Sequence, residues 1–442
     1  MRPTPVRSTG PALSFFFILA VLIVWLLLPV VPAVAAHPPD PVLDWIGITN
    51  DTAIAAGTNP LATSRVVALV SGSVYDAVNG IEPRYEPLFV KPNAPHPASQ
   101  RAAAIQAAYA ILLHLYPAQS ATLGTHRTAS LAALAPYEKP AEIANGVTWG
   151  QTVADAIWAW RLTDGNAPPP PPFVGVLGID TTPAAIGAWR PTPPANAPGA
   201  GPQFATMTPW VLTRPSLFRL PPPPALTSAQ YATDLEEMIA MGSLTGSGRT
   251  SDQSELAFFW AGNTPLYWNR IASQLSANAS LSFHENVRLF ALLDITMADA
   301  AIACWDGKYR YVFWRPITAI RTGVAGVVTA DPTWEPWLDA LPAPGAPGTP
   351  PHPEYPSGHS TVSGSAAAIL AAQFGENSSF TVTSDVRPGT RSFNSFNEAV
   401  AEIANARVFG GIHYRTSCLL GNQLGQKVAA FVTANAFRPH DD

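Results

Sequence analysis

Residues 282–314 read SFHENVRLFALLDITMADAAIACWDGKYRYVFW, and this long amphipathic run decides the class of fold. Its apolar side chains recur every three or four positions, which is the period of an α-helix packed along one side. Asp294 and Asp299 stand among these apolar positions. The run therefore predicts a long helix that carries two carboxyl groups within its apolar pattern.

Helical patterns continue on both sides of this run. The alanine-rich stretch 99–113 is typical of a strong helix former, and the apolar period persists around it. A strand-like alternation appears at FTVT, residues 380–383. The expected fold is mainly α, with two packed helical bundles. The predicted helical segments are 64–165, 228–241, 251–260, 282–314, 360–374, 396–408 and 418–434.

A proline-rich stretch separates the two helical regions. It contains the proline runs 168–172 and 221–224. Its spaced aromatic side chains favour an ordered belt docked on helices over a disordered linker. These aromatic residues are Phe173, Trp189, Phe204, Trp210 and Phe218. The predicted division is an N-terminal helical region at 37–165, a connecting belt at 166–227 and a C-terminal helical bundle at 228–442.

The N-terminus has the pattern of an export signal. Arg2 and Arg7 precede an apolar run at 12–28, and the small residues AVAA at 33–36 suit cleavage. The alternative is an uncleaved anchor, because the run approaches the ~20 residues of a membrane span. We expect a cleaved signal at 1–36, a secreted or periplasmic product, and no stable membrane association.

The composition excludes several classes of site. The 442 residues include 30 acidic and 25 basic side chains, with 12% charged, so a nucleic-acid partner is not expected. The two cysteines, Cys304 and Cys418, exclude a disulfide scaffold and multi-cysteine metal sites. They either pair after export or remain buried thiols.

Residues 308–316, KYRYVFWRP, form the first candidate segment. Lys308 and Arg315 are seven positions apart, almost two helical turns, and are expected to share a helix face. Pro316 disfavours helical geometry at Arg315, which places Arg315 at the helix end. For this segment alone, a solvated basic face is the more common outcome.

The second segment is Ser357-Gly358-His359, directly before a predicted helix. A small-residue turn at a helix N-terminus offers free N–H groups and a positive dipole end, which together bind anions. His359 adds a group that exchanges protons near neutral pH. The alternative is an ordinary serine cap followed by a packed histidine.

The third segment joins Arg407 to His413 through Gly410 and Gly411. A helix would send the two side chains in different directions, but the glycine pair allows a sharp turn that brings them together. Otherwise Arg407 is a surface charge and His413 a satisfied core histidine. Combined, the three segments predict a pocket for a highly charged oxyanion, and no carboxylate array accompanies them to favour a hard divalent cation.

In this order, Lys-x6-Arg-Pro, Pro-Ser-Gly-His and Arg-x5-His resemble the signature of vanadium-dependent haloperoxidases and type-2 phosphatidic acid phosphatases. The match extends over residues 301–425. The segment HPEYP at 352–356 is similar to the secreted bacterial haloperoxidase-like branch. The resemblance implies an enzyme that oxidises halide with hydrogen peroxide to a hypohalous species, which halogenates small organic acceptors.

The resemblance also implies a vanadate cofactor and its binding residues. His413 would ligate vanadium through a ring nitrogen, His359 would act as acid and base, and Lys308 would polarise the bound peroxide. These three are the expected catalytic residues. The full expected cofactor-binding set is Lys308, Arg315, Ser357, Gly358, His359, Arg407 and His413.

Trp305 and His352 are the candidate halide-site residues. In the family, their positions flank the approach of the halide. A histidine at position 352 is more similar to bromoperoxidases than to chloroperoxidases, so bromide is the favoured halide. Plain core packing for Trp305 and a loop position for His352 are the alternatives.

A secreted acid phosphatase with His413 as nucleophile is the alternative function. The phosphatase pattern has an aspartate four residues after that histidine, where this chain has Ser417. The missing carboxylate is expected to weaken a nucleophilic histidine and leaves open what orients the ring. An oxyanion-binding protein without turnover is a third possibility, and a homodimer is compatible with the composition.

Overall fold

The structure is a computed structural model that describes residues 40–175, 186–340 and 348–440, and the predicted signal lies outside them. The mainly helical prediction is confirmed. Residues 40–442 group into one compact unit. Within the described residues the helices are α1 (Pro41–Ala55), α2 (Pro60–Asn79), α3 (Gln100–Leu115), α4 (Ser120–Ala132), α5 (Pro140–Arg161), α6 (Ala229–Gly242), α7 (Ser251–Phe259), α8 (Thr264–Ala279), α9 (Phe283–Tyr311), α10 (Pro316–Thr322), α11 (Gly358–Phe374), α12 (Phe396–Phe409) and α13 (Arg415–Asn435).

Helix α9 occupies the centre, packed against α2 as well as α11 and α13. It begins with a capping box, in which the Ser282 hydroxyl accepts from the Glu285 N–H and the Glu285 carboxylate accepts from the Ser282 N–H. The predicted run to residue 314 is too long at its C-terminal end. Val312 adopts a left-handed conformation (φ 48°), which ends the helix at Tyr311.

Helices α11 and α13 pack closely along each other. The close approach depends on small residues, because a Cβ at Gly425 would overlap the Thr361 carbonyl oxygen. The strand-like segment forms β1 (Phe380–Thr383), which pairs in antiparallel register with β2 (Thr390–Phe393). This hairpin packs against α8 and α12.

The described part of the belt is ordered and docked on the helices, as predicted. Trp189, Phe204 and Trp210 are buried, while Phe173 and Phe218 are half-buried. Asp299 of α9 fixes the belt by accepting hydrogen bonds from the backbone N–H groups of three consecutive residues. These donors are Trp210 (2.7 Å), Val211 (2.9 Å) and Leu212 (2.9 Å).

Helices α1, α8 and α10 were not among the predicted segments. Each has a proline within its first two positions: Pro41, Pro265 and Pro316. None of the helices in the described ranges combines the length and the apolar character that a membrane span needs.

Candidate functional site

The three candidate segments meet in the protein interior. Lys308 lies in the last turn of α9 and Arg315 caps α10, while Arg407 and His413 flank the end of α12. These four side chains belong to residues that are at most 1% exposed. Lysine and arginine side chains are rarely buried without partners, so this site must hold groups that balance the charges of Lys308, Arg315 and Arg407.

Lys308 and Arg315 both bind the segment 352–354, but they do not share a helix face as predicted. The Lys308 Nζ donates to the carbonyl oxygens of Pro353 (2.8 Å) and Glu354 (3.0 Å), and the Arg315 Nε donates to that of His352 (2.9 Å). A shared helix face is wrong, because α9 ends at Tyr311 and Arg315 is extended before Pro316. The two cations meet because they bind neighbouring carbonyl groups.

Arg407 and His413 are brought together by the glycine turn. Gly410 caps α12 and Gly411 has a φ of 75°, a conformation that favours glycine. The N–H groups of Ile412 (3.2 Å) and His413 (3.4 Å) then donate back to the Arg407 carbonyl oxygen. The expected sharp turn is confirmed.

The contact with Arg315 indicates where the proton lies on His413. Arg315 Nη1 lies 3.1 Å from His413 Nε2 and donates to the Ile412 carbonyl oxygen (2.7 Å). A guanidinium group only donates, so Nε2 is the acceptor and the proton belongs on Nδ1. The lone pair of His413 therefore faces the cations.

A carboxylate that the sequence analysis missed contacts the other ring nitrogen. Glu354 Oε1 lies 2.7 Å from His413 Nδ1, and Oε2 accepts from the Ser417 hydroxyl (2.6 Å). The expectation that His413 lacks an orienting carboxylate is therefore wrong. Because Glu354 is 59 positions from His413 in the chain, no local spacing links them. What the sequence does show is that Glu354 is an isolated acidic residue between prolines, in the segment HPEYP at 352–356. In a chain with only 12% charged residues, such an isolated charge is a candidate for a functional role.

Burial shifts the pKa of each of these groups in the direction that favours its uncharged form. It lowers the pKa of Lys308 to about 7 and the pKa values of Arg315 and Arg407 to about 10. It also raises the pKa of Glu354 to about 7. The pKa of His413 lies well below its ordinary value, first through burial and then through the nearby positive charges.

The N-terminus of α11 presents Ser357, Gly358 and His359 to the same region. The Ser357 hydroxyl oxygen accepts from the Ser360 hydroxyl (3.2 Å) in the first turn of the helix. A Cβ at Gly358 would lie 3.2 Å from Trp305 Cζ3 and 3.9 Å from Lys308 Cε. Glycine thus keeps open a space beside the Lys308 side chain.

His359 is half-buried, and its Nε2 lies 3.2 Å from the Gly262 carbonyl oxygen. The carbonyl can only accept, so the proton belongs on Nε2 and Nδ1 has a lone pair. Burial, followed by the charge of Arg407, lowers the pKa of His359 well below its ordinary value. No pattern in the sequence indicates the contact between His359 and Gly262.

Trp305 and His352 border the site together. Their ring centroids are 5.0 Å apart, and Lys308 Nζ lies 5.5 Å from the Trp305 ring. His352 Nδ1 is 2.9 Å from Arg315 Nη2. The belt holds this wall in place, because the Ala200 carbonyl oxygen accepts from the Trp305 indole N–H (3.1 Å).

The two cysteines are free, buried thiols. Cys304 Sγ contacts the Pro356 carbonyl oxygen at 3.6 Å, directly before the Ser357 turn. Burial raises the pKa values of both thiols, to about 11 for Cys418. Neutral thiols of this kind act as packing groups.

The residues present fit an oxyanion such as vanadate. Among the described residues, no hydrogen-bond partner reaches the buried Arg407 Nε, and Arg407 Nη1 donates to the Trp260 carbonyl oxygen at 3.3 Å. An orphaned guanidinium donor beside two further buried cations requires an acceptor. In the described part of the chain, no group of three His, Cys, Asp or Glu side chains could hold a metal cation.

Comparisons with known proteins show which chains this one is similar to. The family model for the VCPO second helical-bundle domain matches residues 288–442. The vanadium chloroperoxidase of Curvularia inaequalis is 30% identical over 123 residues, which cover 22% of this chain and 20% of that protein. The alignment thus spans about a fifth of that relative.

Solved structures extend the similarity to most of the chain. The crystal structure of the first bacterial vanadium-dependent iodoperoxidase has a TM-score of 0.78 and 28% identity, covering 92% of this chain and 99% of that one. A holo-type bacterial vanadium-dependent chloroperoxidase, at 19% identity and a TM-score of 0.65, shares the fold over 90% of this chain and 96% of its own. Over most of its length the chain is thus similar to a bacterial vanadium-dependent iodoperoxidase, and its C-terminal part matches the VCPO second helical-bundle domain.

Proposed function

We propose that this protein is a vanadate-dependent haloperoxidase. It would oxidise a halide with hydrogen peroxide to a hypohalous species that halogenates small organic acceptors. The observation that carries the proposal is the buried group of Lys308, Arg315 and Arg407 beside the unprotonated Nε2 of His413. Three cations and one neutral imidazole suit a multiply charged anion that also accepts a nitrogen ligand.

The proposed cofactor site uses the residues predicted from the sequence. Lys308, Arg315 and Arg407 would neutralise the vanadate oxygens, with Ser357, Gly358 and His359 at the N-terminus of α11 as further partners. His413 Nε2 would bind vanadium. When bound, vanadium(V) supplies a Lewis acid that activates peroxide without changing its own oxidation state.

The side chains around that site would handle protons and exclude water. His359 Nδ1 is available to take a proton from entering peroxide, because Nε2 is engaged with the Gly262 carbonyl oxygen. Lys308 Nζ would place its charge beside the reacting oxygen. The buried surroundings strengthen both effects, since they lower the local dielectric.

Trp305 and His352 are the proposed halide-site residues, with bromide as the favoured halide. Their contact with each other and with Lys308 and Arg315 places an aromatic wall beside the cations. The iodoperoxidase relative makes iodide a necessary comparison. Rates with iodide, bromide and chloride under one set of conditions would establish the order of preference.

The direct test is a halogenation assay. Purified protein loaded with orthovanadate is expected to brominate a phenolic dye when peroxide is added, and inorganic phosphate is expected to suppress the reaction by occupying the same site. His413→Ala serves as the control, because it removes the vanadium ligand. Absence of halide oxidation after vanadate loading would contradict the proposal.

A secreted acid phosphatase remains the alternative, favoured by one specific contact. Glu354 contacts His413 Nδ1, and the contact with Arg315 leaves Nε2 unprotonated, which also suits attack on phosphorus. The alternative predicts hydrolysis of para-nitrophenyl phosphate and a phosphohistidine trapped at His413. Rapid hydrolysis with no bromination would reverse the ranking of the two functions.

The mature protein would be exported and would consist of three consecutive regions. We propose cleavage of residues 1–36, export to the periplasm or the medium, and the division into 37–165, 166–227 and 228–442. A shortened N-terminus in the exported protein, read by mass spectrometry, would support cleavage.

A further inference from the structure

A buried chain of hydrogen bonds runs from Ser417 through Glu354 to His413. We propose that Glu354, held by Ser417, is the positioning residue that fixes the ring of His413 for binding an oxyanion. The inference rests on the proposed role of His413. It adds two residues outside the three motifs, Glu354 and Ser417.

The geometry leaves the carboxylate little freedom. Oε1 accepts from His413 Nδ1 (2.7 Å) and the Tyr414 N–H (3.1 Å), while Oε2 accepts from the Ser417 hydroxyl (2.6 Å). Glu354, His413 and Ser417 are at most 2% exposed. With both oxygens engaged, the carboxylate fixes the tautomer and the ring plane of His413, so that Nε2 faces the cations.

The backbone of Glu354 is anchored as firmly as its side chain. Its N–H donates to the Phe313 carbonyl oxygen (2.8 Å), and its own carbonyl oxygen accepts from Lys308 Nζ (3.0 Å). Ser417 lies in the first turn of α13. The unit therefore ties the ring of His413 to the end of α9 and to the start of α13.

A competing explanation makes Glu354 a simple counter-charge for the buried cations. The two explanations predict opposite effects of removing the charge. A counter-charge competes with a bound anion, so its loss would tighten anion binding. A positioning residue orients a ligand, and loss of such partners typically weakens metal binding about 10- to 100-fold.

The test measures orthovanadate affinity and the His413 tautomer in Glu354→Gln. We expect affinity to fall at least about 10-fold and the ¹⁵N signals of His413 to lose the pattern of a single Nδ1-protonated tautomer. Asp234→Asn is the matched control, because Asp234 is also buried and accepts from the Thr416 N–H at 3.2 Å without touching His413. Its affinity and its His413 signals are expected to match those of the unmodified protein.

A rescue variant and a milder variant complete the test. Ser417→Asp added to Glu354→Gln returns a carboxylate from the side of α13, and we expect it to recover the tautomer and most of the affinity. Ser417→Ala alone is expected to lower affinity a few-fold, and it decides the question should Glu354→Gln fail to fold. Unchanged or tighter binding with an unaltered tautomer would overturn the inference. None of these measurements uses peroxide or halide, so their outcome is separate from that of the halogenation assay.

Discussion

At the scale of single residues, the site concentrates positive charge where water is excluded. Lys308, Arg315 and Arg407 are buried, and Glu354 is the carboxylate in contact with His413. Burial holds the pKa of each cation below its usual range. The buried charges therefore lower the stability of the folded protein, and a bound anion would offset this loss. The small residues at the α11 N-terminus then decide how closely that anion approaches.

Gly358→Ala tests this close approach. Alanine is a better helix former than glycine, and Gly358 begins α11, so we expect stability to be kept or slightly raised. The added Cβ would lie 3.2 Å from the Trp305 ring and 3.9 Å from Lys308 Cε, narrowing the space for the anion. We expect orthovanadate affinity, measured by calorimetry, to fall about 10-fold, or roughly 1.4 kcal/mol.

Gly47→Ala is the control for this substitution. Gly47 lies within α1, and a Cβ there would meet no atom within 4 Å. It is expected to stabilise the protein by about 0.5–1 kcal/mol and to leave anion affinity unchanged. Equal affinity in the two variants would show that Gly358 does not line the anion site.

At the scale of elements, the belt positions the site from outside. Its Ala200 carbonyl oxygen accepts from the indole of Trp305 (3.1 Å) and the hydroxyl of Tyr309 (2.7 Å), both on the last turns of α9. Its Pro221 carbonyl oxygen accepts from the hydroxyl of Tyr355 at 2.8 Å. Asp299 anchors the belt between these contacts. The described part of the belt has no α-helix and only the short 3-10 helix Pro202–Ala205, yet it acts as a structural brace.

Asp299→Asn tests the brace. Asparagine keeps one acceptor oxygen but turns an NH₂ group towards backbone N–H donors of the belt, which leaves buried donors unsatisfied. We expect a loss of about 2–4 kcal/mol in unfolding free energy, measured by denaturant titration at pH 8. Hydrogen exchange is expected to accelerate within residues 204–221.

Asp155→Asn provides the comparison, because Asp155 lies on α5 with a side chain 56% exposed. It is expected to alter neither stability nor exchange. Exchange in the belt that stays as slow in Asp299→Asn as in Asp155→Asn would refute the bracing role.

Particular elements also show how far the sequence predicts this structure. Helices α9, α11 and α12 were placed to within a few residues, because each is a long run of helix-forming residues that begins after a serine N-cap. Helices α8 and α10 were missed because proline interrupts helical patterns in a sequence, although it favours the first turn of a helix.

The site was predictable as a set of residue types in a given order, but its connections were not. Arg315 binds the His352 carbonyl oxygen and Glu354 binds His413, contacts that join positions 37 and 59 apart. Such contacts depend on how whole elements pack, and no local pattern encodes them. The signature motifs contain the side chains proposed to face the anion. The residues that hold these side chains in place, such as Glu354, lie outside the three motifs.

At the scale of the whole molecule, buried carboxyl groups connect α9 to α2 and to the belt. The Ser71 hydroxyl of α2 donates to Asp294, while Asp299 holds the belt. Asp76 of α2 accepts from three backbone N–H groups, those of Leu88, Phe89 and Val90. Burial raises the pKa of Asp294 to about 7 and the pKa values of Asp76 and Asp299 to about 6. The stability of the assembled fold is therefore expected to depend on pH.

Asp294→Asn isolates the largest of these contributions. The folded pKa of about 7 exceeds the ordinary value of 3.8, so the folded state retains a proton that the unfolded chain releases. The stabilisation is complete below pH 4 and is lost as pH rises towards 7, by up to about 4 kcal/mol for this group. Unfolding free energy measured from pH 4.5 to 7.5 should fall less steeply in Asp294→Asn than in the unmodified protein. Because Asp76 and Asp299 titrate in both proteins, part of the slope should remain, and identical slopes would show that Asp294 is already ionised in the folded core.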